Sequence, residues 1–313
     1  MKTDRVEQQL EQLRALRALG PTEAAIVPLR KALRDRANVV VAKAAAISAE
    51  FQLRALMPDL LQAFERLFDK PRENDPQCWG KNAIAKALKD LGHAESAVFL
   101  RGMRHIQMEP VWGGEADTAA VLRGTCALAL VQCSDITRQE TMLHLIDALA
   151  DGDPGVRRDA ALAIEQMAGH EAVWLLRLKA RFADKPEVTG QVFESLLRLE
   201  GKSSVLFVAG FLDGANDEVA EEAALALGAS RLPPALELLK EAWKKPKNRT
   251  LCPVLLRAIS SSRLDDAFEF LLAIVREGRP SEREDALRAL EIHRDSEDIR
   301  RRVEEALARM ARK

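Results

Sequence analysis

DGDPGVRRDAALAI, residues 151–164, is the stretch that decides the fold. Gly152 breaks a preceding helix, Asp153 offers a side-chain acceptor to the free N–H groups of the next one, and Pro154 takes the first helical position, where a missing N–H costs nothing. Beyond this turn Val156, Ala160, Ile164 and Met167 recur at helical spacing, with Ala161 and Ala163 beside them. Before it, RQETMLHLIDALA (138–150) carries Met142, Leu145, Ile146 and Leu149 in the i, i+3, i+4, i+7 stripe of a helix. The two segments make a helical hairpin over 138–168. One such hairpin cannot bury both of its apolar faces, so it needs neighbours of its own kind.

The neighbours are in the sequence. VAEEAALAL starts at Val219, and looser copies start at Val40, Gly80, Leu122, Val188, Leu251 and Glu282. Successive starts, with Val156 in its place, lie 40, 42, 34, 32, 31, 32 and 31 residues apart. A recurring period in the thirties specifies stacked supersecondary units rather than one central core. Further turn signals fall where the period asks for them: Asp184-Lys185-Pro186, Asn216-Asp217 and Arg279-Pro280-Ser281 inside hairpins, and Pro233-Pro234 at the start of one. Composition agrees, since charged residues make up 30 % and aromatics 4 %, with Ala and Leu abundant.

The D-x-D-P-x-V-R-x-x-A-A-x-A-I pattern of Asp151–Ile164 resembles the HEAT repeat. The 31–34-residue spacing is similar to the HEAT-like repeats of phycobilisome lyases. The resemblance implies an all-α, right-handed α-α superhelix of about eight helical hairpins, a single solenoid over 1–313. Residues 1–20 and 296–313 would be charged capping helices, with repeats over 21–295. HEAT-type proteins are mostly binding scaffolds, so the resemblance also implies a non-catalytic protein or peptide binder working through its concave face. The alternatives are a nucleic-acid-binding HEAT protein similar to the HEAT-like DNA glycosylases, and a HEAT-fold enzyme or bilin-lyase-like subunit.

The two long intervals map to insertions at 70–80 (KPRENDPQCWG) and 104–117 (RHIQMEPVWGGEAD). Insertions in repeat arrays emerge as loops and often bind. The second is read either as a loop closing over a groove, with Trp112 as anchor and His105, Gln107 and Glu109 as polar contacts, or as a connection in which Trp112 and Val111 cover an irregular joint. By analogy with HEAT arrays, the residues after each template start line the concave wall. Lys81, Arg123, Arg157 and Arg158, with Lys86 further along its helix, then make a basic row across units two to four, while Glu221 and Glu222 make unit six acidic. Such a row suits an acidic partner, unless the arginines are spent on aspartates such as Asp153 and Asp159 within the stack.

Other chemistry leaves little trace. The net charge of −1 gives no global field toward nucleic acid or an anionic membrane. Trp112, Asp117 and Arg123 are only a thin similarity to the glycosylase pocket. His170-Glu171 is similar to one of the His-Glu pairs of HEAT-fold di-iron hydroxylases, which carry several. No nucleophile, phosphate-cradling or zinc motif is present, and no metal or cofactor is expected. Cys78, Cys126, Cys133 and Cys252 read as reduced, small apolar residues. With no apolar span and a charged N-terminal segment, the expected location is the cytoplasm.

Overall fold

The computed structural model describes residues 2–214, 216–246 and 248–310, with the side chains of residues 5 onward. They form two compact units, divided between Met167 and Ala168. Unit 1 opens with α1 (Lys2–Leu19). Four hairpins follow: α2 (Ile26–Leu33) with α3 (Asn38–Glu50), α4 (Met57–Arg66) with α6 (Trp79–Asp90), α7 (Ser96–Met103) with α8 (Ala120–Leu130), and α9 (Arg138–Leu149) with α10 (Pro154–Met167). A one-turn α5 (Pro71–Asn74) lies in the first insertion. Unit 2 repeats the plan with α11 (Gly169–Lys179) and α12 (Pro186–Glu200), α13 (Lys202–Ala209) and α14 (Asp217–Ala229), α15 (Pro233–Lys244) and α16 (Cys252–Ser261), α17 (Asp265–Glu277) and α18 (Pro280–Leu290). It closes with α19 (Glu297–Met310). The fold is therefore all-α, built from HEAT-like hairpins, eight among the described residues. The cap expected over 296–313 is seen as α19; residues 311–313 and Met1 lie outside the described residues.

Local chemistry sets the boundaries. Asp153 Oδ1 accepts from Val156 N–H at 3.2 Å, and Pro154 is the first residue of α10. Thr137 and Glu140 form a reciprocal capping box at the start of α9. Asn216 caps α14 through Val219 N–H at 3.3 Å. In each unit the second helices of successive hairpins pack side by side, α3–α6–α8–α10 in the first and α12–α14–α16–α18 in the second. The contact faces are rich in small residues: Ala44, Ala45, Ala85, Ala127, Ala160, Ala161, Ala223 and Ala224 are all fully buried. Small side chains bring these helices close, and larger ones such as Phe64, Phe99 and Phe193 fill the space toward the first helices.

The 104–117 insertion is not a plain loop. β1 (Met108–Val111) and β2 (Gly114–Asp117) pair antiparallel, with Val111 opposite Gly114. Trp112 and Gly113 make the two-residue turn, and Gly113 sits at φ 89°, where a side chain would be strained. A helix-based reading misses a ribbon this short because four-residue strands carry almost no periodic signal.

Candidate functional site

Two features of unit 1 stand out, one buried and one open. The buried feature lies where the two insertions meet. Lys81, in the first turn of α6, is fully enclosed. Its ammonium sits 2.9 Å from Asp75 Oδ2, 3.0 Å from Gln107 Oε1 and 3.3 Å from the Leu67 carbonyl oxygen. Asp75 is equally enclosed and also caps α6, accepting from Gly80 N–H (2.7 Å), Lys81 N–H (3.0 Å) and Asn38 Nδ2 (2.9 Å). The Gln107 amide is oriented by its neighbours: its oxygen faces Lys81 and His105, and its nitrogen donates to the Asp75 carbonyl at 2.8 Å and to Glu109. Glu109 takes Gln77 N–H on both oxygens at 2.9 Å. Thus β1 is clamped to the start of α6. The clamp holds Lys70, Gln77 and Cys78, none of them glycine, at φ of 41°, 60° and 54°.

Arg123 completes the clamp on the α8 side. It pairs bidentately with Asp151, at 2.8 and 2.9 Å, and with Asp117 at 2.6 Å. Burial alone would lower the Arg123 pKa, but Asp151 and Asp117 outweigh it and hold it above its ordinary value. For Asp117, burial is outweighed by the N–H groups of Gln107 and Ala119 and by Arg123, which keep the carboxyl below the usual range. Asp151 is lowered likewise by Arg123 and the Asp153 N–H, against burial.

The basic row expected on the concave wall is thus largely spent inside the protein. Lys81 and Arg123 are buried and neutralised, and His105, Gln107 and Glu109 face the clamp instead of a partner. Arg157 donates to the Asp151 and Gly152 carbonyl oxygens at 2.8 and 3.0 Å. Arg158 lies against Asp159 at 2.8 Å. Lys86 is exposed and pairs with Asp90 at 2.7 Å. Trp112 covers no joint between repeats, because it is fully exposed at the ribbon tip. The physical reason is that position in the template fixes a helix face but not the depth at which an insertion buries it.

His105 makes the clamp acid-sensitive. Its ring packs edge-on against Phe68 at 4.8 Å and its Nε2 donates to Gln107 Oε1 at 3.1 Å. Burial first, opposed by the Gln107 bond but helped by the Lys81 charge, holds its pKa below the ordinary imidazole value. A lowered imidazole contributes stability that is complete above the unfolded-state pKa of about 6.5 and is lost as pH falls through the folded value. Asp117 and Asp151 act with the same sign in a lower window, below about pH 4. Wild-type Tm therefore falls between about pH 7.5 and about pH 5, and His105→Gln shrinks that fall; an unchanged difference in scanning calorimetry refutes the assignment.

The open feature is a trough of about 520 Å³ on the α3–α6–α8 row. Val39, Ala42 and Ala46 of α3, Ala83 of α6 and Val121 of α8 make it almost wholly apolar, and Trp79 stands at its edge with half its surface exposed. Two cations reach it. Among the described residues Lys86 is held only by its surface pair with Asp90. Lys43 has no ion pair or hydrogen bond among the described residues. Asn82 lines the same wall, and its buried Oδ1 has no hydrogen-bond donor among the described residues. Sequence reasoning placed Lys86 on this wall but missed Lys43 and Trp79. A signal existed: α3 has Lys43 and Glu50 as its only charges, and a helix apolar on nearly every face has two surfaces to cover.

No family model matches the chain, and no curated protein matches it. Among solved structures it is similar to human deoxyhypusine hydroxylase in complex with glycerol, at a TM-score of 0.32 and 20 % identity over 82 % of this chain and 90 % of that one. That likeness is too low to bring a residue or a reaction with it. The expectation of a non-catalytic scaffold is corrected by the geometry: of the basic wall on which it depended, Lys81 and Arg123 are buried and paired with carboxylates. Among the described residues no three His, Cys, Asp or Glu side chains converge as metal ligands. His170 stacks on Trp174, with ring centroids 6.1 Å apart. No helix among the described residues is long and apolar enough to cross a membrane.

Proposed function

We propose that this HEAT-like chain works within an enzyme system that handles a small apolar anion, and that the α3–α6–α8 trough is where that molecule sits. The observation carrying the reading is an uncompensated Lys43 beside an otherwise apolar wall. An apolar body would cover Val39, Ala83, Val121 and the Trp79 face, while a carboxylate meets Lys43 and a second one exchanges with Asp90 for Lys86. Asn82 Oδ1 would accept from an N–H or O–H of the same molecule. The volume falls in the usual range for small-molecule sites. These groups bind and orient; none is a nucleophile or a general base. The repeat spacing resembles that of phycobilisome lyases, and a bilin, a conjugated apolar body bearing carboxylates, has the matching chemistry. The four free thiols support a reducing compartment, the cytoplasm.

The test is displacement of the anionic apolar dye anilinonaphthalene sulfonate. Dodecanoate and biliverdin should displace it, and dodecyltrimethylammonium should not. Lys43→Ala and Val121→Asp should each weaken dye binding by about tenfold, one lost charge contact or apolar wall. Equal displacement by the cationic amphiphile, or wild-type affinity in both variants, would sink the proposal.

A further inference from the structure

Unit 2 carries a surface that neither its stability nor the trough explains. Along α11, Trp174 and Leu178 stand one turn apart on the solvent side, and Phe182 continues the line in the turn that follows; each is more than half exposed. α13 lies alongside, because Arg177 of α11 reaches Ser204 Oγ at 3.3 Å and stacks on Phe207 at 4.6 Å. It adds Leu206, the most exposed of the four. Exposed apolar groups are ordinary when scattered, but four large ones on two neighbouring helices mark a contact surface.

Three cations without a carboxylate partner among the described residues, Arg181, Lys185 and Lys202, stand exposed at one end of the crest, flanking Phe182 and Leu206. The carboxylates Glu187 and Asp213 are exposed nearby in the chain. The other cations nearby are already used: Arg177 pairs with Glu200 at 2.6 Å and Lys179 with Asp184 at 2.7 Å. Arg181 is held over the Phe207 and Phe211 rings, which fixes its plane without neutralising it. The acidic group on the same helix face, Glu171, lies at the opposite end of α11.

We infer that this crest docks on an anionic lipid surface, with Trp174, Leu178, Phe182 and Leu206 entering the headgroup layer and the three cations meeting lipid phosphates. An aromatic and aliphatic ridge bordered by lysine and arginine is the composition of an interfacial helix face. A second copy of the chain fits less well, since pairing two such crests would bring six unneutralised cations together. The inference is independent of the trough.

Sedimentation of the full chain with vesicles tests it. Binding is expected to vesicles about one third phosphatidylglycerol in phosphatidylcholine, to weaken in high salt, and to be weak on phosphatidylcholine alone. Trp174→Ser with Phe182→Ser, and separately Lys185→Glu with Lys202→Glu, should each reduce the bound fraction at least about fivefold, the loss of two apolar inserts or of two headgroup contacts. All four positions are exposed, so the variants keep the fold; their melting curves check it. Acyl-brominated lipid should quench wild-type fluorescence more than that of Trp174→Phe. No binding to the anionic vesicles, or equal binding by both double variants, overturns the inference. So does a concentration-dependent dimer that Phe182→Ser dissolves without any vesicle binding, which would assign the crest to self-association.

Discussion

Lys81→Met lowers stability by about 3–5 kcal/mol, the cost of leaving a buried carboxylate without its counter-charge. In a chain of this size that is on the order of 10 °C in Tm. The variant keeps the length and apolar stem of the side chain, so it removes a charge and little volume. What remains is Asp75, fully enclosed, with three hydrogen-bond donors but no cation. Gln107 loses the ammonium that orients its oxygen, and with it the register of β1 against α6 weakens. A second substitution separates charge from shape. Asp75→Asn made together with Lys81→Met removes both charges and should recover at least half of the loss, because a neutral buried pair carries no uncompensated charge. Lys86→Met is the contrast. Its exposed pair with Asp90 is worth about 0.3–0.5 kcal/mol, so its melting curve should nearly overlay the wild type. If Lys81→Met and Lys86→Met melt together, the clamp is not holding the ribbon.

The difference between those two lysines also shows where the sequence could be read. Both sit on α6, and both look like residues of one exposed row. The helix itself was legible, as was the hairpin of residues 138–168, because Asp153, Pro154 and the Val156–Met167 stripe act within a few residues of one another. Eight hairpins and two terminal helices follow from repeating that local logic. The fate of Lys81 depends on Gln107, 26 residues away, and on a ribbon whose strands are four residues long. No local pattern encodes that meeting. The trough lies between these cases. Its wall is assembled from three helices of successive repeats, so each contributes one or two residues that look unremarkable alone. Only the scarcity of charge on α3 hints at it. Trp79 was hidden by its place among the turn residues of the first insertion, outside any periodic stripe.

Gly228→Ala tests the packing that makes such walls possible. Gly228 lies in the last turn of α14 with ordinary helical backbone, so alanine there is not strained by φ and gains about 1 kcal/mol of helix propensity. Space decides against it. A Cβ at this position would fall 2.2 Å from the Ala258 carbonyl oxygen, 2.7 Å from its carbon and 2.8 Å from its Cα. All three are backbone atoms of α16, so no side chain can rotate away, and the two helices must separate. Overpacking of this kind costs about 1–3 kcal/mol and occasionally more; with backbone on both sides we place Gly228→Ala at the upper end, a net loss of about 2 kcal/mol after the propensity gain. Gly190 offers an informative comparison, since a Cβ there meets the Glu222 carboxylate. That side chain is repelled by Glu194, Glu221 and Glu187 and, with burial as the leading cause, has a raised pKa, so it has reason to move. Gly190→Ala should therefore cost much less than Gly228→Ala, and Gly152→Ala, with nothing within 4 Å, should be neutral. Urea midpoints of the three variants give the order directly. Gly228→Ala at wild-type stability would mean that α14 and α16 do not approach backbone to backbone.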